Sequence, residues 1–410
     1  MIYGNLNGTL TKGVSKFIIQ VAVVALLVGF GHSYANVNTT VLSIDIPKAP
    51  VVVDDCIKSY QDFLENDWKR KACVGAAFVI IKGDDIMLLT GMGEKNRKTH
   101  EPVSANSVFR IGSLSKGFAS ILAGSLVDQD YFDWDDKVTD YVPELAMCTK
   151  DATQNLCVEN ILSHSTGLPR HAYTNLIEDG LSVERIAGEF RTVPLVGEMG
   201  KSYAYQNAAY ALIEEVIESS TGDSYEELMR SLLFEPLGME SASMTYDDMV
   251  SCDDIARPHN YNATPMRVSK RYYNSVASGG INASISDMAQ WMKMLLGNNP
   301  EVMDKEALDE VFSPRVNTRR DWRYYNRWQG FKDSEYALGW RVLDLGDRTL
   351  IHHGGYVNGY RSEIAIDREN NIAICALFNS PCTYAKRVVP AFFEYYDACH
   401  SSSDTKGVNP

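Results

Sequence analysis

The sequence has no Cys-x-x-Cys and no His-x-x-His, and only 8 histidines among 410 residues. A metal site therefore has no local support. No block of Lys or Arg stands out, and 39 basic against 53 acidic residues give a net charge of −14. That is the wrong sign for a protein that grips phosphate backbones, so nucleic-acid partners are excluded. Glycine (29) and proline (14) are too sparse for a collagen-like or low-complexity chain, and there is no internal repeat. What is present is ordinary: 45% apolar and 22% charged residues, enough for one large domain or two average ones. An acidic globular chain of this kind reads as an enzyme.

The first 35 residues differ from the rest. Met1–Ala35 carries no Asp or Glu, and its only formal charges are Lys12 and Lys16. An apolar run from Phe17 to Phe30 follows, then Ser33-Tyr34-Ala35, a small-x-small exit. Basic start, short apolar core and small-residue exit describe a secretory signal cleaved after Ala35. The alternative is a membrane anchor, but this run falls short of the ~20 residues a spanning helix needs. The expectation is a secreted or periplasmic protein with no stable membrane span.

Export gives weight to the eight cysteines. Cys148 and Cys157 flank a short polar stretch and form the best candidate pair, although eight cysteines allow 105 connectivities. Cys375, inside the apolar run Ile372–Phe378, reads as a buried thiol.

Residues 36–400 read as one domain and 401–410 as a polar, flexible tail. Periodicity predicts helices near 57–69, 113–128, 207–220, 223–234, 286–297 and 383–398. Val74–Ile81 and Ile86–Gly91 flank Gly83-Asp84-Asp85 as a β-hairpin. Late strands are expected at Ala337–Leu343, Thr349–His352, Arg361–Asp367 and Asn371–Phe378. Strands at both ends with helices between them indicate α+β, an antiparallel sheet built from both chain ends beside an inserted helical region.

Three short motifs could carry chemistry. Ser113-Leu114-Ser115-Lys116 opens a helix, placing Ser113 and Lys116 one turn apart on one face. A lysine desolvated there loses proton affinity and can act as base towards the serine hydroxyl. Ser403-Asp404-Thr405-Lys406 fits the same pattern, and Ser113 could equally be a helix N-cap. Tyr205-Gln206-Asn207 offers a phenol to relay a proton and a carboxamide to orient the lysine or a substrate amide. The triplet also occurs at Tyr3, Tyr272, Tyr324 and Tyr356, and a buried packing Tyr with a capping Asn is its plainer reading. His352-His353-Gly354-Gly355 sits on a late strand, where paired glycines mark close approach of another backbone or a ligand, or else a simple bulge.

In this order and at these separations the three motifs resemble the serine β-lactamase and penicillin-binding-protein superfamily, in its class C β-lactamase-like branch. Further segments carry the resemblance: Phe109-Arg110-Ile111-Gly112-Ser113, Asn160 through Pro169, Glu235-Pro236-Leu237-Gly238-Met239, and Ser278 through Met288. It covers about residues 57–398. It implies an αβα sandwich without a cofactor, acting on a small-molecule or peptide-like substrate: a β-lactam, a D-amino-acid amide or peptide, or an ester. It also implies that Ser113 forms an acyl-enzyme, Lys116 takes its proton, Tyr205 shuttles protons and Asn207 holds the lysine and the substrate amide. The backbone N–H groups of Ser113 and Tyr356 would form the oxyanion hole. A penicillin-binding sensor that acylates without turnover is the alternative. His164, within the matched segment, reads as a turn-stabilising residue.

One departure stands out. The resembled lactamases carry Lys-Thr-Gly as third motif, and counting back from Gly359 aligns His353-Gly354-Gly355 to it, although His352-x-Gly354 also fits. A histidine there would be mostly neutral at pH 7, so a substrate carboxylate held by His353 would be weakly anchored until the pH fell.

Overall fold

Two stretches of this chain are apolar at consecutive rather than alternate positions, Phe78–Ile81 and Ile372–Phe378. Such runs belong to strands covered on both faces. In the computed structural model they are adjacent central strands. The structure describes residues 55–68, 73–318 and 321–404. The expected signal sequence, the lead-in up to residue 54 and the last six residues of the tail lie outside the described residues.

The main sheet is built, in chain order, from β1 (Gly75–Lys82), β2 (Asp85–Gly93), β5 (Val316–Asn317), β6 (Asp333–Tyr336), β7 (Arg341–Asp344), β8 (Thr349–Val357), β9 (Tyr360–Asp367) and β10 (Ile372–Phe378). In space these eight strands run β2-β1-β10-β9-β8-β7-β6-β5, each antiparallel to its neighbours. A separate ribbon pairs β3 (Val108–Arg110) with β4 (Asn282–Ser284).

Strand alternation splits the core in two. Ala77, Val79, Ile81, Ala373, Cys375 and Leu377 face one cluster, shared with helices α2 (Ser115–Asp128), α3 (Asn207–Thr221) and α4 (Ile285–Leu295). Ala76, Phe78, Ile80, Ile372, Ile374, Ala376 and Phe378 face the other, shared with α1 (Asp55–Trp68) and α5 (Ala385–Asp404). The result is the expected αβα sandwich, its sheet built from both ends of the chain.

Two expected elements differ. Ala337–Leu343 is not one strand: β6 ends at Tyr336, β7 begins at Arg341, and a turn lies between. There the Ala337 N–H donates to the Trp340 carbonyl at 2.8 Å and the Gly339 N–H to Leu162 at 3.0 Å. The run is apolar because it is buried against helices, not because it pairs throughout. The helix expected over 223–234 is α-helical only at Tyr225–Met229 and then widens to a π-turn over Arg230–Phe234. The last helix continues to Asp404, beyond residue 400.

The cysteine pairing is corrected. The disulfide joins Cys73 to Cys382, while Cys148 and Cys157 stay as thiols on either side of the short helix Lys150–Asn155. The cause is the pairing of β1 with β10: Cys73 precedes one strand and Cys382 follows the other, so the register delivers both to one sheet end. Cys157 instead lies 3.1 Å from the Lys137 ammonium. Cys375 is a buried thiol as expected, and burial raises its pKa. Alkylation before reduction should therefore label Cys148 and spare Cys73 and Cys382. Reduction should lower Tm by on the order of 5 °C, since the bridge closes a long loop. Peptide mapping with and without reductant, alongside a melting curve in each state, checks both. No helix among the described residues is long and apolar enough to cross a membrane.

Candidate active site

The strand β3 leads directly into the site. Its Arg110 is buried, donates to the carbonyls of Ser269 (2.9 Å) and Arg271 (2.8 Å), and stacks over the Tyr273 ring. This pins the chain just before the turn Gly112–Leu114, which carries Ser113 into α2. The N-cap of α2 is Leu114, and no side chain caps it. The capping role open to Ser113 in the sequence is thus not taken up, and the residue lines a cleft of about 610 Å³.

One turn further on, Lys116 is wholly buried. Its ammonium donates to Asn207 Oδ1 at 2.9 Å and to the Ser278 carbonyl at 2.7 Å, and lies 4.9 Å from the centre of the Tyr205 ring. Burial, and then the charge of Arg341, push its pKa well below that of a free lysine. Lys116 is thereby moved towards the neutral form that can accept a proton.

Tyr205 comes from the segment just before α3, and Asn207 is the first residue of that helix. Tyr205 and Ser113 line the cleft together; burial raises the Tyr205 pKa, and Arg341, the neighbouring Ser113 hydroxyl and Arg170 pull it back. Asn207 Nδ2 donates to the Tyr272 hydroxyl at 3.2 Å. Ser113, Lys116, Tyr205 and Asn207 therefore meet in one place: Lys116 is bonded to Asn207 and packed on the Tyr205 ring, and Tyr205 shares the cleft with Ser113. A serine hydroxyl beside a desolvated lysine and a phenol can lose its proton to either.

The third motif lies on β8, which runs unbroken through both glycines. A Cβ on Gly355 would stand 2.3 Å from the Ile111 carbonyl and 3.1 Å from the Ser113 nitrogen, so only glycine permits this approach. One on Gly112 would stand 3.0 Å from the Tyr356 nitrogen. The backbone of Tyr356 therefore passes against the turn that holds Ser113. This contact fits the register His353-Gly354-Gly355.

The surroundings of His353 differ from those expected of a carboxylate anchor that regains its charge as the pH falls. Its ring is buried, with Nε2 2.9 Å from the Tyr336 hydroxyl and Nδ1 2.9 Å from the Gly354 carbonyl. Burial, then Arg341 and Lys116, hold its pKa well below that of a free histidine. His353 stays neutral and engaged with the wall. His352, on the opposite face, contacts the Tyr325 hydroxyl (3.0 Å) and Glu363 (3.1 Å).

The charge that the sequence reading missed belongs to Arg341. Its guanidinium is 5.5 Å from the centre of the Tyr205 ring and donates to Asp321 at 3.2 Å. Arg170 reaches the same carboxylate at 3.6 Å and also stacks towards Tyr205, at 5.8 Å. Two guanidinium groups share one carboxylate, so this corner of the cleft keeps a positive charge. The signal for Arg341 was an arginine inside the otherwise apolar run Ala337–Leu343. Tyr272 was visible only as a repeat of the Tyr-x-Asn triplet, and nothing local joined it to Asn207.

A family model described as Beta-lactamase matches residues 55–391. Over 308 residues the chain is 25% identical to "Unguisins hydrolase ungD'" of Aspergillus campestris, covering 72% of this chain and 56% of that protein. Over 345 residues it is 22% identical to "Protein flp" of Staphylococcus aureus, covering 82% and 66%. The chain thus spans little more than half to two thirds of these curated relatives. Among solved structures, the octameric penicillin-binding protein homologue from Pyrococcus abyssi superimposes with a TM-score of 0.69 at 23% identity, covering 79% of this chain and 74% of that one. A class C β-lactamase from Rhodobacter sphaeroides gives 0.68 at 19% identity, covering 83% and 99%. At these identities the structural likeness establishes the fold.

Proposed function

Since this chain belongs to the Beta-lactamase family, we propose that it is an exported serine acyl hydrolase working through an acyl-enzyme on Ser113. The observation that carries the reading is the buried Lys116, hydrogen-bonded to Asn207 and Ser278 and packed on the tyrosine that lines the cleft beside Ser113. Ser113 Oγ attacks the substrate carbonyl and gives its proton to Lys116, directly or through Tyr205. The bond to the leaving amine or alcohol breaks, and that group takes the proton. Water then hydrolyses the ester and restores the serine. The N–H groups of Ser113 and Tyr356 hold the oxyanion, a contribution of roughly 10²–10³ in rate per donor.

The charge at Arg341 supports a carboxylate-bearing substrate: a peptide-like amide, an activated ester or a β-lactam. A guanidinium is charged at every working pH and grips carboxylates in two-point fashion, so the anchor does not wait for acid. The Cys73–Cys382 disulfide supports an oxidising destination, hence export.

Intact-mass analysis after exposure to penicillin and to a fluorophosphonate tests the reading, together with steady-state hydrolysis of a chromogenic cephalosporin and a p-nitrophenyl ester. One equivalent of product followed by arrest marks a sensor instead. Arg341→Gln should lower kcat/KM for the cephalosporin roughly 10–100-fold relative to a neutral ester, the usual worth of a hydrogen bond to a charged group. Removing that cation also raises the pKa of both Lys116 and Tyr205, so the ascending limb of the pH–rate profile should move to higher pH for both substrates. An unchanged cephalosporin-to-ester ratio refutes the anchor.

A further inference from the structure

Tyr205 must keep its hydroxyl facing Ser113, yet it lies in an irregular segment before α3, where no helical ladder fixes it. The His171 N–H donates to the Tyr205 carbonyl at 2.9 Å, and His164 holds the residues on either side. The Ala204 N–H donates to the His164 carbonyl at 2.9 Å, and the Gln206 N–H donates to His164 Nδ1 at 3.2 Å. Both residues flanking Tyr205 are thus tied to one histidine. The His164 ring also packs on the Tyr205 ring with centroids 4.2 Å apart, inside a cage completed by Tyr336 at 4.8 Å and Tyr210 at 5.3 Å.

From this geometry we propose that His164 is the positioning residue for Tyr205, acting as a neutral imidazole that accepts through Nδ1. The inference rests on the acyl-hydrolase reading above and adds a residue to it. Accepting from Gln206 requires that Nδ1 carry no proton, which puts the ring proton on Nε2. Nε2 has no hydrogen-bond partner among the described residues. Burial, then the charges of Lys116 and Arg341, hold the ring neutral, which keeps Nδ1 available. The backbone agrees: His164 has φ +58°, a left-handed conformation that His and Asn adopt more readily than most residues. The turn-stabilising role expected from the sequence is therefore only part of its work.

The test separates the acceptor from the packing. His164→Phe keeps a ring and removes the acceptor; His164→Asn removes the ring, tolerates the left-handed backbone and places an acceptor near the position of Nδ1. With an activated ester, the Phe variant should lose about 10–100-fold in kcat at nearly constant KM, as expected when a reacting group is misplaced by a fraction of an ångström. Its ascending pH limb should move, because the Ser113 hydroxyl beside Tyr205 helps lower the tyrosine's pKa. The Asn variant should recover at least about tenfold of the loss, because it restores the acceptor that fixes the reacting group. Should the Phe variant fail to fold, His164→Gln replaces it: its acceptor falls nearer Nε2, so it should be poor where the Asn variant is active. Full kcat with an unshifted profile in the Phe variant, or an Asn variant no better than Phe or Gln, overturns the inference alone, provided the wild type takes the fluorophosphonate label. A wild type that takes no label overturns the hydrolase reading and this inference with it.

Discussion

Ser113→Ala should take no adduct mass from penicillin or a fluorophosphonate and should lose at least ~10³ in kcat/KM, the scale for removing a nucleophile. The loss should not come from unfolding. Ser113 sits on a turn pinned from behind by Arg110 and from the side by Gly355, and its side chain caps no helix. The variant should therefore keep its Tm within about 2 °C, a surface-type effect. Removing the hydroxyl leaves Lys116 bonded to Asn207 and Ser278. It also leaves both backbone N–H groups of the proposed oxyanion hole in place, since neither depends on the serine side chain. Substrate binding should thus survive the loss of chemistry. Full labelling of this variant at another serine refutes the assignment.

Lys116→Arg should be as dead as Ser113→Ala although the formal charge is kept. A guanidinium stays protonated under every working condition and cannot receive the serine proton. It is also bulkier than the ammonium it would replace, which is wholly buried between Asn207, Ser278 and the Tyr205 ring. In the wild type, activity should rise with pH through one apparent value below that of a free lysine. That value belongs to Lys116 and Tyr205 together, since they share the site. The sign follows from the chemistry: below it the lysine is protonated and cannot serve as base, above it the base is free. Tyr205→Phe should lose about 10²–10⁴, the range of a general acid–base group, and should simplify the profile. A pH–rate series on the three proteins decides the matter, and an active Arg variant refutes the role given to Lys116.

Much of the architecture was legible before any coordinates. Val74–Ile81 and Ile372–Phe378 were readable as apolar strand runs and the helices at 113–128 and 207–220 by their periodicity, while the layering of helices on both faces came only through the family resemblance. Ser113 with Lys116 was readable because one helical turn brings i and i+3 together without help from the rest of the chain. Tyr205 and Asn207 were readable only through the order of the motifs, since their triplet recurs elsewhere, and one of its repeats, Tyr272, turned out to touch the site.

What the amino-acid sequence determined by itself is whatever depends on near neighbours: helical faces, the hairpin of β1 and β2, the serine–lysine pair and the glycines at the third motif. The tertiary structure alone decided the rest. It paired Cys73 with Cys382 across 309 residues of chain, because β1 and β10 lie side by side. It turned His353 into the wall and left the cleft's fixed positive charge to Arg341, on the neighbouring strand. It tied His164 to the residues on both sides of Tyr205. Each of these depends on which strands and loops lie side by side and on the burial that follows, and local spacing carries no information about either.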